Sequence, residues 1–396
     1  MARRKFRNLL LAAGMALMPF GLRAADTQAS WTARLGQLAK PAADEIVFTA
    51  VGDAIWNRPI SATKDPRLQS LFEVMRTSDL AFLNFEQVLA DSGYPTVKDI
   101  AKADPSIISE FTWAGVDLVS TANNHAMDFG PSGLETTRKV LTGAGIAFTG
   151  AGVNVAQAIK PVVIEKKGLK VALVALLVSP QFPQIGTAAE DNAPGVAPIH
   201  GAQIRQPDGK VVFAPWEQDV ARMQAAIAEA RKTADLVAVS LHIHWGGLEE
   251  IDATGKQLIT HAAIDAGADI VLGHGPHVVN GIEHYKNKPI FYSIGNFVYQ
   301  FNLDHYALFP STQDVIKRLQ SDKRQYAATM ARIILSRTGQ FRRIEILPVG
   351  LTDAGDPHFE ADARAEDTLT RLTRLSAALG TTIRRENWYA TVDLPK

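Results

Sequence analysis

The chain has 396 residues, of which 46% are hydrophobic, and these values indicate a globular protein with one large domain or two ordinary ones. The first 25 residues hold five basic and no acidic side chains, which leaves 36 basic against 41 acidic residues in the remainder. This mildly acidic remainder lacks an electrostatic footprint for nucleic acid, and the absence of cysteine excludes disulfides, a thiol nucleophile and a thiolate metal site.

Residues 1–25 have the three parts of an export signal. A basic start is followed by an apolar run over residues 9–20 and by Ala24 and Ala25, where a peptidase can cut. The sequence Arg-Arg-Lys-Phe at residues 3–6 is also similar to the twin-arginine pattern of bacterial leaders. An uncleaved membrane anchor is the alternative, but about a dozen apolar residues is short for a span. We therefore expect export, to the periplasm first of all, with secretion or membrane association as alternatives.

Beyond the leader, strand and helix patterns alternate as in an α/β protein. The polar segment 26–43 is expected to be loosely held. Strands are predicted at 45–51, 80–83, 116–121, 146–149, 161–165, 170–178, 236–241, 269–272, 289–294, 328–336 and 341–349. Helices are predicted at 68–75, 105–114, 133–144, 220–232, 255–266 and 362–379. Residues 181–216 have little periodicity, and we expect an extended surface excursion there.

Five predicted strands each stop at a residue that is able to bind a metal. These strand-end residues are Asp53, Glu86, Asn124 with His125, His242 or His244, and His274 with His277. Ligands gather where the strands of an α/β sheet end, so we expect these side chains to converge. Taken singly, each has a structural alternative; Asn123 and Asn124, for example, can cap the turn into the next helix. Five such coincidences that include two carboxylates favour a joint site.

The types of donor indicate which metals this site would take. Two carboxylates, an amide oxygen and three imidazoles, with no thiolate, suit a pair of divalent cations such as Mn²⁺, Zn²⁺ or iron. A bridging carboxylate holds such ions about 3.5–4 Å apart, activates a shared water and clamps the oxygens of an in-line phosphoryl transfer. Pro276 keeps His274 and His277 on a stiff loop, so that the two rings can point to different ions. The sequence thus predicts a metal-dependent hydrolase.

Six motifs in a fixed order also carry a family resemblance. They are Gly52-Asp53, Asn84-Phe85-Glu86, Ala-Asn-Asn-His-Ala-Met-Asp-Phe-Gly at 122–130, His244-Trp245-Gly246, Gly-His-Gly-Pro-His-Val at 273–278 and Tyr-Ser-Ile-Gly-Asn-Phe at 292–297. This set resembles the CapA family, the poly-γ-glutamate (capsule) synthesis proteins, which is similar to the calcineurin-like metallophosphoesterases. The resemblance implies an α/β fold of the four-layer αββα sandwich type over residues 44–350. Residues 351–396 would then form a C-terminal helical extension packed on that domain.

The resemblance implies a role for each matching residue. In the metallophosphoesterase pattern, Asp53 and His277 would bind the first metal, Glu86 would bridge, Asn124, His244 and His274 would bind the second metal, and His125 would donate a proton to the leaving group. Strand alternation sends His242 and His244 to the same face, so His242 is the alternative to His244. The Trp-Gly that follows His244 favours His244.

Three positions depart from the pattern of the superfamily. Ile55 stands where the first motif has a histidine, which leaves the first metal one ligand short. Glu86 replaces the usual aspartate of the second motif. Gly275 precedes Pro276 where many CapA-like sequences read His-Pro-His, so His274 would have to serve from one residue earlier.

Three further polar residues are candidates for the walls of the pocket. Arg58 can bind an anionic group, with an exposed arginine that has no partner as the alternative. Asn296 can complete the pocket floor, and a turn role is the alternative. Asn123 stands beside the metal-binding candidate Asn124 in the third motif.

Together these observations predict an exported, CapA-like, metal-dependent hydrolase that is linked to the synthesis of capsule, poly-γ-glutamate or another envelope polymer. Metal-activated water would attack a phosphoester or related electrophile while His125 protonates the leaving group. The expected partners are an anionic envelope polymer or phosphoester substrate and a membrane synthase complex. The alternatives are a non-catalytic assembly factor with a degenerate metal site and an amidohydrolase that cleaves glutamyl bonds with the same metals.

Overall fold

The computed structural model describes residues 26–92, 101–179, 188–209, 211–243, 249, 251, 255–300 and 321–395. The expected export signal and His244 lie outside these described residues. Within them, no helix combines the length and the apolar character that a membrane span requires.

Helices and strands alternate over most of the described chain. The α-helices are α1 Gln28–Leu35, α2 Pro66–Thr77, α3 Ile108–Trp113, α4 Gly130–Gly143, α5 Val155–Ala158, α6 Glu217–Arg231, α7 Lys256–Asp265 and α8 Ala363–Ala377. The first strands are β1 Glu45–Ile55, β2 Leu80–Phe85, β3 Val88–Leu89, β4 Lys102–Ala103, β5 Leu118–Ser120, β6 Ala147–Thr149, β7 Ala151–Gly152, β8 Val162–Lys166, β9 Leu169–Val178, β10 Gly195–Val196 and β11 Pro198–Ile199. The later strands are β12 Gly201–Arg205, β13 Val211–Pro215, β14 Leu236–Ile243, β15 Ile270–His274, β16 Ile282–Tyr285, β17 Lys288–Phe291, β18 Asn296–Tyr299, β19 Ala327–Ser336, β20 Phe341–Leu351, β21 Pro357–Phe359, β22 Ile383–Arg385 and β23 Ala390–Val392.

The first sheet joins the early strands to the last ones. Its order is β22-β23-β20-β19-β1-β2-β5-β6, with β18 paired to β1 and β21 paired to β20. β1, β2, β5 and β6 run parallel, and β18 also runs parallel to β1. β19 and β20 extend the sheet in antiparallel pairs. The parallel strands place their carboxyl ends at one edge, which is where ligand sites form in such sheets.

The second sheet is built from the middle of the chain. Its order is β11-β9-β14-β15-β17-β16, with β8 paired to β9. β9, β14, β15 and β17 run parallel, and they are apolar over nearly their whole length because both faces are covered. Part of the expected surface excursion forms the β12–β13 hairpin, and β11 adds a short edge strand to this sheet.

Three apolar clusters define how the layers are stacked. One cluster lies between the two sheets and holds Phe48 and Phe82 of the first sheet with Leu173 and Ile270 of the second. Another cluster packs α2 and α3 against the outer face of the first sheet. A further cluster packs α6 and α7 against the outer face of the second sheet. The order helix, sheet, sheet, helix is a four-layer αββα sandwich, and the predicted fold class is confirmed.

The C-terminal segment is part of this sandwich. Helix α8 puts Leu369 and Leu372 into the cluster between the sheets. β22 and β23 pair with each other, and β23 pairs with β20 of the first sheet. The segment expected as a helical extension therefore contributes strands as well as a helix, and a domain boundary at residue 350 stays a prediction.

The segment that follows the expected leader is ordered, which corrects the expectation for residues 26–43. The side chain of Thr27 caps α1 by accepting a hydrogen bond from the backbone N–H of Ser30. Trp31 of this helix is fully buried and lies against the rings of Phe359 and Trp388, with ring centroids 5.8 and 5.5 Å apart. Trp31 is the main apolar anchor of α1, and the partly buried Leu35 packs against the same cluster.

Candidate metal centre

Strands from both sheets end at one place, where five candidate ligands meet. Asp53 lies on β1, Glu86 follows β2, His242 lies on β14, His274 ends β15 and His277 follows it on the next loop. The first four side chains are fully buried and His277 is partly exposed. This meeting of carboxylates and imidazoles from distant parts of the chain is what the strand-end pattern anticipated.

The distances between these side chains are those of groups that can share a cation. Ligand atoms of Asp53, Glu86 and His242 all lie within 4.8 Å of one another. Nε2 of His242 and Nε2 of His277 are each 3.6 Å from Oε1 of Glu86. Nδ1 of His274 is 3.7 Å from Oδ1 of Asp53, whereas Nδ1 of His277 is 3.4 Å from Oδ2. The rings on either side of Pro276 therefore approach different oxygens of Asp53.

Two glycines allow the backbone to hold Asp53 in this position. A Cβ atom on Gly52 would lie 1.7 Å from the carbonyl oxygen of Gly295, so only glycine permits this contact between β1 and the segment before β18. The backbone N–H of Asp53 donates to that same oxygen at 3.0 Å. Gly275 has a φ of +103° and donates its N–H to Oδ2 of Asp53 at 3.2 Å. The departure from His-Pro-His thus has a structural reason, because a φ of +103° favours glycine and a Cβ atom at this position would lie 2.6 Å from the carbonyl oxygen of Ile243.

The charges at the centre follow from burial and from close contacts. Burial alone would raise the pKa of Asp53, but the hydrogen bond and charge of His277, with His242 and His274 nearby, hold that pKa well below its usual range. Burial lowers the pKa of His274 to about 4, against an opposing effect of Asp53. Burial also acts to lower the pKa of His277, but Glu86 and Asp53 outweigh it and raise that pKa to about 9. At neutral pH His274 is thus a neutral imidazole beside a charged carboxylate.

Asn296 positions the ring of His277. Its Oδ1 lies 2.8 Å from Nδ1 of His277, and its Nδ2 donates to the backbone carbonyls of His277 and Gln325. His277 has a φ of +59°, a strained conformation for a residue with a side chain, and these bonds help to maintain it. With Nδ1–H donated to Asn296, Nε2 is the nitrogen left to bind a metal.

Asn84 is a site residue to which the sequence patterns assigned no role. Its Nδ2 donates to Oδ1 of Asp53 at 2.7 Å and lies 3.1 Å from Nδ1 of His242. Its Oδ1 is buried and has no hydrogen-bond partner among the described residues. Because Asn84 stands two residues before Glu86, strand alternation places both side chains on the same face, and that signal could have identified it.

The loop after β5 holds the expected proton donor. Nδ1 of His125 lies 2.7 Å from Oδ2 of Asp128, which also accepts the backbone N–H of Ala101. Asn123 donates its Nδ2 to the carbonyl oxygen of Phe85, next to Glu86, and accepts the backbone N–H of His125. This asparagine therefore ties the loop to the end of β2. Oδ1 of Asn124 is buried and has no hydrogen-bond partner in the described part of the chain.

The structure also gives the surroundings of Ile55, Arg58 and His242. Ile55 is buried in an apolar cluster with Ala101, Tyr299 and Leu351, so it brings no donor to the first metal. Arg58 is half-exposed and pairs with Asp356 instead of a ligand of the centre. His242 lies at the centre, and His244 lies outside the residues that the structure describes.

This set of residues fits a divalent cation. Neither ring nitrogen of His274 has a hydrogen-bond partner among the described residues, although the ring is fully buried. Buried polar groups are nearly always satisfied, so such a ring needs a ligand. Two carboxylates and three imidazoles, with no sulfur, are the donors that Mn²⁺, Zn²⁺ and iron accept in proteins.

Comparison with known proteins identifies a protein family whose model matches this chain. The model of the bacterial capsule synthesis protein family PGA_cap matches residues 47–300, a range that contains all six motifs. An uncharacterized protein of Sinorhizobium fredii is 28% identical over 314 residues, which cover 67% of this chain and 68% of that protein. The PGA biosynthesis protein CapA of Bacillus subtilis is 31% identical over 270 residues, which cover 65% of this chain and 64% of that protein.

Among solved structures, a novel phosphatase from Mycoplasma pneumoniae superposes with a TM-score of 0.43 and 13% identity. The superposition covers 77% of this chain and 94% of the phosphatase. The fold assignment does not depend on this distant likeness, because the packing of the two sheets and their helices gives it directly.

Proposed function

This chain belongs to the bacterial capsule synthesis protein family PGA_cap, and from that premise we propose that it is an exported, metal-dependent hydrolase acting on an envelope polymer. The observation that carries the proposal is the meeting of Asp53, Glu86, His242, His274 and His277 in one buried cluster. A purely structural role leaves that cluster unexplained, because buried charges and unsatisfied imidazoles cost stability unless they bind something.

The proposed export rests on residues 1–25, whose basic, apolar and small-residue regions are those of an export signal. A finished envelope polymer lies outside the cytoplasm, where an exported protein can reach it. The proposed location is the periplasm, in contact with a membrane synthase complex.

The cations would be held by the two carboxylates and three imidazoles, with Asn124 as an additional oxygen donor. Bound there, a divalent cation supplies Lewis acidity to the reacting oxygens of a phosphoester or related electrophile. Asn84 fixes Asp53 and His242, and Asn296 fixes His277, so the donors are held in place before substrate arrives.

The step that belongs to the chain itself is proton transfer to the leaving group. Asp128 accepts Nδ1–H of His125, which orients the ring and leaves Nε2 to carry the proton that is donated. As the bond to the leaving oxygen breaks, that oxygen takes this proton and the ring becomes neutral. Asn123 holds the backbone of His125 beside the end of β2 during this step.

The test combines metal analysis with hydrolysis. Purified protein is assayed for bound metal, and then for cleavage of an aryl phosphate and of poly-γ-glutamate in the presence of Mn²⁺. Cleavage of either probe that Glu86→Gln and His125→Ala each lower at least about 100-fold supports the proposal, and the cleaved probe distinguishes a phosphoesterase from a glutamyl amidohydrolase. Folded protein that binds no metal and cleaves neither probe refutes it.

One observation favours a second candidate, a non-catalytic polymer assembly factor with a degenerate metal site. Ile55 replaces the histidine of the first motif and is packed among apolar side chains, so this position offers no side-chain ligand for a metal. Under this alternative, metal analysis finds at most one weakly bound ion and Glu86→Gln leaves polymer binding unchanged.

A further inference from the structure

A second pocket lies beside the start of β19, the end of β20 and helix α8. Its volume is about 490 Å³. Its lining includes Arg324, Tyr326, Leu351, Glu360, Arg364 and Arg371. None of these residues belongs to the proposed metal ligands, so the pocket needs an explanation of its own.

Arg371 is the unusual member of this lining. Its side chain is only 13% exposed, and neither Nε nor Nη2 has a hydrogen-bond partner among the described residues. Its Nη1 lies 4.0 Å from Glu249, which is too long for a hydrogen bond. Burial lowers the pKa of Arg371, which reflects the cost of keeping this charge away from water. A buried guanidinium with unmatched donors is stabilised when an anion binds to it.

The other charges around the pocket are largely matched. Glu360 is paired with Arg364 at 3.1 Å and lies 2.9 Å from Nε2 of His358. Arg324 is paired with Asp322 at 2.7 Å and with Glu249 at 3.3 Å. The carboxylates of Asp353 and Asp367 also line the pocket, but both are exposed, whereas the spare donors belong to the largely buried Arg371.

Direct contacts connect this pocket to the metal centre. The carbonyl oxygen of Gln325 accepts Nδ2 of Asn296, the residue that positions His277. The next residue, Tyr326, lines the pocket and packs against the apolar cluster that contains Tyr299. The ring of Tyr299 in turn lies 5.1 Å from the ring of His277. Tyr326 in the wall of the pocket is therefore linked to His277 through the packing of Tyr299.

We propose that this pocket is an oxyanion subsite, in which Arg371 binds a carboxylate or phosphate group of a substrate that extends from the metal centre. The inference rests on the proposed function for the identity of the polymer, and the binding of an anion at Arg371 stands independently of catalysis. A chain with regularly spaced carboxylates can place one group near His277 and another on the guanidinium, whose planar fork matches a carboxylate.

The test compares two arginines on the same helix. Arg371→Gln removes the charge that faces the pocket, whereas Arg374→Gln removes a 64% exposed charge that pairs with the same Glu249 at 3.2 Å and does not line the pocket. A short γ-linked glutamate oligomer and inorganic phosphate are titrated into each protein by calorimetry. We expect Arg371→Gln to weaken binding of the oligomer about tenfold or more and Arg374→Gln to change it less than about twofold.

Thermal unfolding of both variants verifies that they are folded. If Arg371→Gln does not fold, Arg371→Lys is titrated in its place. Arg371→Lys keeps the positive charge but loses the planar guanidinium that can bind a carboxylate through two hydrogen bonds. We therefore expect its affinity for the oligomer to lie between that of wild type and that of a protein without the charge. Equal affinity of wild type and the Arg371 variants for the oligomer overturns the subsite, as does an absence of binding by wild type. Phosphate binding that depends on Arg371 as strongly as oligomer binding identifies a general oxyanion site. Arg371-dependent binding in a protein that hydrolyses nothing refutes the hydrolase and leaves the subsite in place.

Discussion

The two sheets bring different chemistry to the same place. The first sheet and the segment after its strand β2 supply oxygen donors from the carboxylates of Asp53 and Glu86, and Asn84 positions Asp53. The second sheet supplies nitrogen donors, His242 on β14 and His274 at the end of β15. The first half carries the negative charge that attracts a cation, and the second half carries His274, whose imidazole burial keeps neutral at pH 7. We therefore expect metal binding to require that both sheets are formed and packed on each other.

Glu86→Gln is expected to have the largest effect, because it removes charge from the oxygen-donor half. We expect metal content to fall and turnover to drop on the order of 10³-fold, the scale of losing a main source of charge stabilisation. Metal analysis and turnover are measured on the same sample. The matched control is Glu110→Gln, a buried carboxylate that accepts the backbone N–H groups of Ile60 and Ser61 away from the centre. Equal losses in both variants would show that a buried carboxylate as such is needed.

His125→Ala separates the proton donor from the metal ligands within the first half. We expect turnover to fall on the order of 10²-fold while metal content stays at the wild-type level, because His125 bonds to Asp128 and is no proposed metal ligand. His200→Ala is the control, since His200 makes a similar 2.6 Å contact with Asp219 outside the centre. Loss of metal in the His125 variant would contradict the separate role of this residue.

His274→Gln tests the imidazole half. The ring has no hydrogen-bond partner among the described residues, so glutamine should be tolerated by the fold and should lower metal affinity about 10- to 100-fold. Metal affinity is measured by competition with a chelator of known strength. His261→Gln, at a histidine that bonds to Glu283, provides the comparison. Unchanged affinity in His274→Gln would show that His274 is not a metal ligand and would leave His242 as the buried donor of the second sheet.

Asn84→Ala is expected to have the smallest effect of the four, because Asn84 positions Asp53 and His242 and is no primary ligand in the proposal. We expect about a tenfold loss of metal affinity. Turnover should return at saturating metal, which a general loss of structure would not allow. Failure of added metal to restore turnover in folded protein would argue against a positioning role.

Much of this centre could be predicted from the sequence, because strand ends show in hydrophobic patterns. The predicted strands 45–51, 80–83 and 269–272 end two or three residues before Asp53, Glu86 and His274, respectively. Alternation puts His242 and His244 on one face, so the preference for His244 rests on the Trp-Gly after it, and the residue that the structure places at the centre is His242. The family resemblance is confirmed by the match over residues 47–300.

Other features depend on contacts that no local pattern encodes. Trp31 is buried by Phe359 and Trp388, which come more than three hundred residues later in the chain. The local sequence around α1 shows neither partner, so it predicts a loosely held segment. The strands β22 and β23 have three residues each, too short for a period of two to stand out. The spare donors of Arg371 follow from tertiary packing around an otherwise ordinary amphipathic helix.

The hydrogen bond from the backbone N–H of Gly275 to Oδ2 of Asp53 joins two residues that are 222 positions apart in the chain. Contacts this distant along the chain form late in folding, after the local hairpins and helices. A chain still emerging from the ribosome, or still unfolded during secretion, has no complete cage of donors. A cation bound as proposed would therefore be taken from whichever compartment hosts the last stage of folding, and the metal supply of that compartment would decide which ion is incorporated.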